Sequence, residues 1–406
     1  MFTIILKDKK TKARLGVLKT PHGVIKTPSY VIVATHAEVK CLKPSDIKKT
    51  KTQIIIANTY HLWSEALNPK LETLNKTKIQ NPKSKTFLLN KLGTKLPTMT
   101  DSGGFQVLSL AFDNKNRIGK FISDNAKADK SYRRSKIKIT PKGVHFKWNN
   151  KWRFLGPALS MKIQEKIGAD IVFAFDHITS PLDSYSYNKK ALGLTHKWAE
   201  ISLKCKVKSE KLNGKRQLLF GIVQGGLFKD LRVKSAKIIG AMPFGGFGIG
   251  GSYTKKQIAK VLRWIIPHLP EENPRHLLGV GKVEDVFEAV ENGVDTFDCV
   301  IPTREARHGR IYTKRGTVQI TRGIYAENKN ILERGCGCPV CKKKMTRTKL
   351  NKLFKGTRPV QQARGKRYAT IHNIWFFNNL LEDIRKSIKN NKFKQFKNRF
   401  LRRFKS

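Results

Sequence analysis

Eight short apolar runs constrain this chain more than any other feature. Each closes on a polar residue or a glycine, and each precedes a stretch that can form a helix. They cover residues 30–34, 53–57, 96–100, 169–175, 218–223, 247–249, 276–278 and 295–297. Runs without strict apolar–polar alternation suit parallel strands buried on both faces, with the intervening helices as cover. An open doubly wound sheet gives no reason for a polar tip on every strand, whereas a closed barrel collects all eight tips at one mouth. The expected fold class is therefore α/β, an eight-stranded (β/α) TIM-type barrel. Two regions break the alternation. Residues 113–155 read as a basic insertion of short strands, and residues 310–372 as an inserted zinc-binding subdomain near the C-terminus. Residues 373–406 read as a last helix, beginning near His372, with a basic tail. The whole of 1–406 is expected to form a single barrel unit.

Composition narrows the partner. The chain has 406 residues and a formal charge of +53, from 82 Lys and Arg against 29 Asp and Glu. A surface this basic favours a polyanion, since neutralising phosphates releases counterions. General enrichment in Lys and Asn is the bland alternative. No export signal and no 18-residue apolar stretch is present, so no membrane partner is expected. Six cysteines, three of them in Cys336-Gly-Cys338-Pro-Val-Cys341, suggest a reducing, cytoplasmic setting and a metal. Cys41, Cys205 and Cys299 are expected as buried fillers.

The strand tips carry the chemistry. Asp101 opens Asp101-Ser102-Gly-Gly-Phe105-Gln-Val, Asp176 follows the fourth apolar run, and Asp298 ends the eighth, beside Arg304 and Arg307 in what reads as a loop. Three carboxylates at one mouth are costly unless donor-rich ligands occupy it. A guanine-like edge offers a ring N–H and an exocyclic amine to Asp176. Its carbonyl suits the Gln224 amide and the backbone N–H groups of Gly250 and Gly251. A carboxylate nucleophile beside such a base would attack a sugar anomeric carbon, and a second carboxylate would manage protons. The three clustered thiolates need a fourth ligand for tetrahedral zinc, and His372 is the best placed, ahead of His276 and His308. Three thiolates and one imidazole leave no open position, so one structural Zn2+ per chain is expected.

These residues resemble the tRNA-guanine transglycosylases (queuine tRNA-ribosyltransferases) over nearly the whole chain. The resemblance rests on Asn58-Thr-Tyr-His-Leu, Asp101-Ser-Gly-Gly-Phe-Gln-Val, Gly221-Ile-Val-Gln-Gly-Gly, Gly279-Val-Gly, Phe297-Asp-Cys-Val-Ile-Pro-Thr-Arg and the Cys cluster followed by His372-Asn373. It implies a zinc-containing barrel enzyme that exchanges guanine at the tRNA anticodon wobble position for a 7-deazaguanine, acting as a homodimer. By position, Asp298 resembles the nucleophile and Asp101 the second catalytic carboxylate. Ser102, Phe105, Asp176, Gln224, Gly250 and Gly251 resemble the base-binding set, and Arg304 and Arg307 the tRNA-contacting pair.

The chain departs from the family pattern in two places. His177-Ile178 stands where Glu-Cys is usual, and Ser252-Tyr-Thr-Lys255-Lys256 replaces a Leu-Ala-Val-Gly-Glu segment. Without that Glu, discrimination between 7-aminomethyl-7-deazaguanine and queuine is expected to be weaker. Three other readings compete. A catalytically silent tRNA-binding partner subunit has no need of both Asp298 and Asp101. A barrel glycoside hydrolase does not account for the cysteine cluster or the charge. The archaeal-type enzyme acting on the D-arm normally has an extra RNA-binding domain that this chain is too short to hold.

Overall fold

The computed structural model describes residues 1–67, 86–109, 137–148, 151–213, 217–251 and 257–404. The segment 252–256, on which the expectation about the incoming base rests, lies outside the described residues, as do 113–136 and 149–150 of the expected insertion.

Three N-terminal strands, β1 (Phe2–Lys7), β2 (Arg14–Thr20) and β3 (Gly23–Thr27), form an antiparallel sheet. The barrel strands follow in two groups. The first is β4 (Ser29–Ala34), β5 (Ile55–Ala57) and β6 (Thr98–Thr100). A small antiparallel sheet of β7 (Ile137–Thr140), β8 (Gly143–Trp148) and β9 (Lys151–Leu155) then intervenes. The second group is β10 (Ile171–Phe173), β11 (Leu218–Val223), β12 (Gly246–Ile249), β13 (Arg275–Leu277) and β14 (Thr296–Asp298). Each barrel strand pairs in parallel with the next, and β14 returns to β4 through Thr296↔Ser29 to close the eight-stranded barrel. A last hairpin, β15 (Arg310–Thr313) and β16 (Gly316–Gln319), leads into the cysteine region.

The apolar runs are unbroken because both strand faces are covered. Val31, Ile56, Met99, Ile171, Phe173, Phe220 and Ile222 point into the barrel and pack on one another. Their neighbours Ile32, Ile55, Val172, Leu219 and Val223 point outward, under the helices. The glycines of β12 make room inside: a Cβ on Gly246 would lie 2.5 Å from the Phe220 ring, and one on Gly248 2.9 Å from Phe173. Leu18 and Ile25 join the inner cluster, which lays the N-terminal sheet across the barrel's floor. There Arg14 forks onto Asp295 at 2.9 and 2.6 Å, while Asp295 also accepts the Arg275 N–H at 2.8 Å. Both charges are buried, so losing either partner would strand the other.

The C-terminal helix, Pro359–Lys389, begins at Pro359 rather than near His372. Proline suits a first helical turn, and the polar run after it carries no apolar periodicity by which a helix would be read. Phe377 packs on Tyr30 of β4 with ring centroids 5.6 Å apart. The chain turns at Asn391 (φ +53°) into a second helix, Phe393–Arg403. Phe393, Phe396 and Phe400 of that helix meet Phe287, so this phenylalanine stripe packs on the barrel's helical layer. Of the cysteines expected to be buried fillers, Cys299 is buried, but Cys41 and Cys205 are partly exposed.

Candidate active site and metal centre

Asp298 is the last residue of β14, and its side chain is 17% exposed. Its Oδ1 accepts the Gly279 N–H at 2.9 Å and lies 3.2 Å from His276 Nε2. His276 is fully buried in β13, directly across from Thr296, whose Oγ1 is 2.9 Å from His276 Nδ1. A neutral imidazole with its proton on Nε2 can therefore donate to Asp298 while accepting from Thr296. His276 sits within the strand read from the seventh apolar run, and its place is beside Asp298 instead of the cysteines.

Asp101 follows β6 and is held by four donors. Oδ1 accepts the Thr59 N–H at 3.0 Å and the Gly103 N–H at 3.1 Å; Oδ2 accepts Asn58 Nδ2 at 2.5 Å and Gln106 Nε2 at 3.3 Å. Asn58 also caps the helix Thr59–Ala66 by accepting the His61 N–H at 3.0 Å. One residue thus starts the helix and orients the carboxylate. Burial pushes the Asp101 carboxyl up to about 6; the Thr59 and Gly103 N–H groups pull it down, and the nearby Asp298 charge pushes it further up. Two carboxylates therefore face one mouth, and one of them stays partly protonated near neutral pH.

Beside them lies a buried polar pocket. Gln224, just past β11, donates from Nε2 to Asp176 Oδ2 at 2.6 Å, and Ser102 Oγ donates to Asp176 Oδ1 at 3.4 Å. All three residues are buried. Gln224 Oε1 has no hydrogen-bond partner among the described residues. Gly250 plays a different part from the one expected. Its N–H donates to Val223 O at 3.1 Å in the barrel ladder, so it does not serve a ligand carbonyl. Its contribution is space, because a Cβ there would lie 2.4 Å from Gln224 Nε2. Gly251 follows with φ +125°, a backbone shape that favours glycine. Behind this wall the buried Arg232 donates to Gly226 O, Val223 O and Gly250 O at 2.8, 3.1 and 2.8 Å, tying the β11 and β12 tips together. Phe105 lies half-buried on the helix Gly104–Ser109 that opens beside Asp101.

Arg304 and Arg307 lie on a short helix, Ile301–Arg307, where a loop was expected. Pro302 in its first turn favours that start. Arg304 is exposed and Arg307 half-buried, and their spacing puts both on one side of the helix. Asn373 anchors the segment, donating from Nδ2 to Pro302 O and Arg310 O at 3.0 Å each and accepting the Tyr312 N–H at 3.1 Å.

Cys336, Cys338, Cys341 and His372 converge so that their four ligand atoms lie within 4.8 Å of one another. The Sγ atoms are 3.9, 3.4 and 3.5 Å from His372 Nδ1. His372 donates from Nε2 to Tyr312 O at 2.8 Å, which leaves Nδ1 to face the thiols. Hydrogen bonds from Cys336 and Cys341 draw the Cys338 thiol down, while the contacts with Cys336 and Cys338 push Cys341 up, so the crowded thiols hold one thiolate between them and the rest form as a cation displaces their protons. This group fits a tetrahedral metal, and because all four positions are protein atoms its role would be structural.

Sequence reasoning left Arg232, the place of His276 beside Asp298, and the holding role of Asn58 and Thr59 unassigned. Asn58 carried a readable signal, a capping residue directly after a strand. His276 and Arg232 carried none, since barrel closure alone brings them to the site.

Comparison with known proteins agrees with this geometry. The sequence profile of the family described as queuine tRNA-ribosyltransferase matches residues 8–406. The queuine tRNA-ribosyltransferase of Caldanaerobacter subterraneus is 37% identical over 408 residues, covering 99% of this chain and 97% of that one. Those of Halothermothrix orenii and Clostridium perfringens are each 36% identical over 408 residues. They cover 99% and 98% of this chain, and 97% and 96% of their own lengths.

Proposed function

The chain belongs to the queuine tRNA-ribosyltransferase family, and from that premise we propose that it exchanges guanine at the tRNA wobble position for a 7-deazaguanine, through a covalent Asp298–ribosyl intermediate. The observation that carries this reading is the carboxylate pair. Asp298 is fixed through Oδ1 at a strand tip, and Asp101 stands close enough for the Asp298 charge to help raise it to about 6. Asp298 attacks the ribose C1′, and the C1′–N9 electron pair leaves with guanine. Protonated Asp101 gives the departing base its proton. The incoming 7-deazaguanine returns a proton to Asp101 as its N9 attacks C1′, and Asp298 departs as a carboxylate. One acid–base group thus serves both halves.

In this reading Asp176 accepts the guanine ring N–H and amine. The Gln224 amide and the Gly251 N–H serve the base carbonyl, Ser102 steadies Asp176, and Phe105 covers the base. Arg304 and Arg307 contact tRNA phosphates. The three thiolates and His372 hold one Zn2+. Bond lengths of about 2.3 Å to sulfur and 2.0 Å to nitrogen require S–N edges of roughly 3.5 Å in a tetrahedron, and the observed edges of 3.4 to 3.9 Å bracket that value. A silent tRNA-binding partner subunit is the second reading, and the oriented Asp101 and Asp298 speak against it.

The test is incubation with tRNA labelled in its wobble guanine, with 7-aminomethyl-7-deazaguanine or queuine added. Label release that depends on added base is expected, with kcat/KM for the two bases within about a hundredfold, because no Glu stands at the Ser252–Lys256 segment to form an ion pair worth ~1 kcal/mol or more. No release with either base would refute the proposed exchange.

A further inference from the structure

The β7–β9 sheet has two unlike faces. The pairs Lys138↔His145, His145↔Phe154 and Lys147↔Trp152 put these five side chains on one face. Val144, Phe146, Trp148 and Leu155 fall on the other. That second face is anchored to the body. Phe146 meets Tyr60 and Trp63 with centroids 6.0 and 6.2 Å apart, and Trp148 stacks on Tyr60 at 4.4 Å and 25°. Trp198 Nε1 donates to Pro141 O at 2.8 Å.

The first face looks to solvent. Trp152 is 54% exposed, with Lys147 Nζ 5.5 Å from its ring centroid, and the His145 and Phe154 rings lie 4.8 Å apart. Lys138 and Lys147 stand on this face, whereas Lys151 and Arg153 pair with Trp148 and Phe146 on the other, and residues 137–155 contain no Asp or Glu. An exposed indole among cations, with no carboxylate near in sequence, complements a flat, electron-rich ring attached to phosphate. An unpaired nucleotide offers both parts, the base to the aromatic face and the phosphate to the lysines. The sheet itself is anchored next to the site, because Tyr60, on which its inner face rests, directly follows Thr59, whose N–H holds Asp101.

Resting on the tRNA substrate proposed above, we infer that the outward face of this sheet, centred on Trp152 and Lys147, stacks an unpaired base of the anticodon loop. It thereby holds the loop while the wobble nucleotide reaches the barrel. The test is direct equilibrium binding of tRNA to the full-length protein, beside exchange kinetics at saturating tRNA. Trp152→Ala should weaken tRNA binding by about fivefold or more, leave kcat within about twofold, and leave the oligomeric mass unchanged. Trp152→Phe, which keeps a stacking ring, should recover most of the loss. Lys147→Ala should flatten the plot of log Kd against log salt by about one. Replacing loop bases one at a time with abasic sites should identify one position at which Trp152→Ala has no further effect. Binding by Trp152→Ala within twofold of wild type overturns the inference. So does a changed oligomeric mass with unchanged tRNA affinity, since the face would then contact protein. A protein that needs Trp152 for tRNA yet releases no guanine would sink the exchange reading and leave this surface standing.

Discussion

Asp101→Asn separates two effects that the structure sets against each other. Raising a carboxyl from 3.8 to about 6 in the folded state corresponds to roughly 3 kcal/mol, and partial exposure of the side chain reduces it to about 2 kcal/mol. Because the folded value is the higher one, the unfolded chain loses its proton first as pH rises. Wild type is therefore most favoured below pH 3.8 and loses this contribution between about pH 4 and 6. Asparagine cannot ionise, so the variant escapes that loss. Against it, the new Nδ2 would face Asn58 Nδ2 where Asp101 Oδ2 accepted a hydrogen bond, a cost of about 1 kcal/mol at every pH. For 406 residues, an unfolding entropy near 2.1 cal/mol/K per residue makes 1 kcal/mol worth about 1 °C in Tm. The variant should thus melt about 1 °C below wild type at pH 4 and about 1 °C above it at pH 7.5. Scanning fluorimetry of the two proteins in parallel cancels the titration of groups that do not interact with Asp101. A Tm difference that stays flat from pH 4 to 7.5 would show that Asp101 is not raised. In the exchange assay the same variant should lose about 10²- to 10⁴-fold in kcat, as removal of a general acid–base group does.

Cys338→Ser should lose bound zinc, read by elemental analysis, together with several degrees of Tm, because metal binding energy is folding energy here. His372→Ala keeping full zinc occupancy would overturn only the fourth ligand. Gly250→Ala should raise the KM for the incoming base about tenfold or more with Tm within a few degrees, since the new Cβ presses hardest on the Gln224 amide, then on the Ile222 methyl, and on no backbone atom as closely. An unchanged KM would remove Gln224 from the base pocket.

Much of the fold was legible because barrel strands are covered on two sides. Ile171-Val172-Phe173 points in, out and in, so all three residues are apolar and the strand reads as a solid run. The start of the last helix was not legible, because its first turns, from Pro359, are polar and carry no periodic apolar face. The strand-tip residues Asp101, Asp176, Gln224 and Asp298 could be located from the runs they terminate. The pairing of His276 with Asp298 could not, for it depends on β13 lying beside β14 in register, and a histidine in a strand reads as core. The Gly250 assignment went astray for a similar reason: only the ladder geometry reveals that its N–H is committed to Val223.

The central claim, that Asp298 becomes covalently joined to tRNA, can be tested on a denaturing gel. Wild-type protein incubated with tRNA and no free base should give a band of protein plus tRNA that survives denaturation and disappears when guanine is added. Asp298→Asn should give no such band while binding tRNA within about tenfold of wild type, because the phosphate contacts that carry affinity remain. A denaturation-resistant adduct formed by Asp298→Asn, or full base exchange by it, would contradict the account.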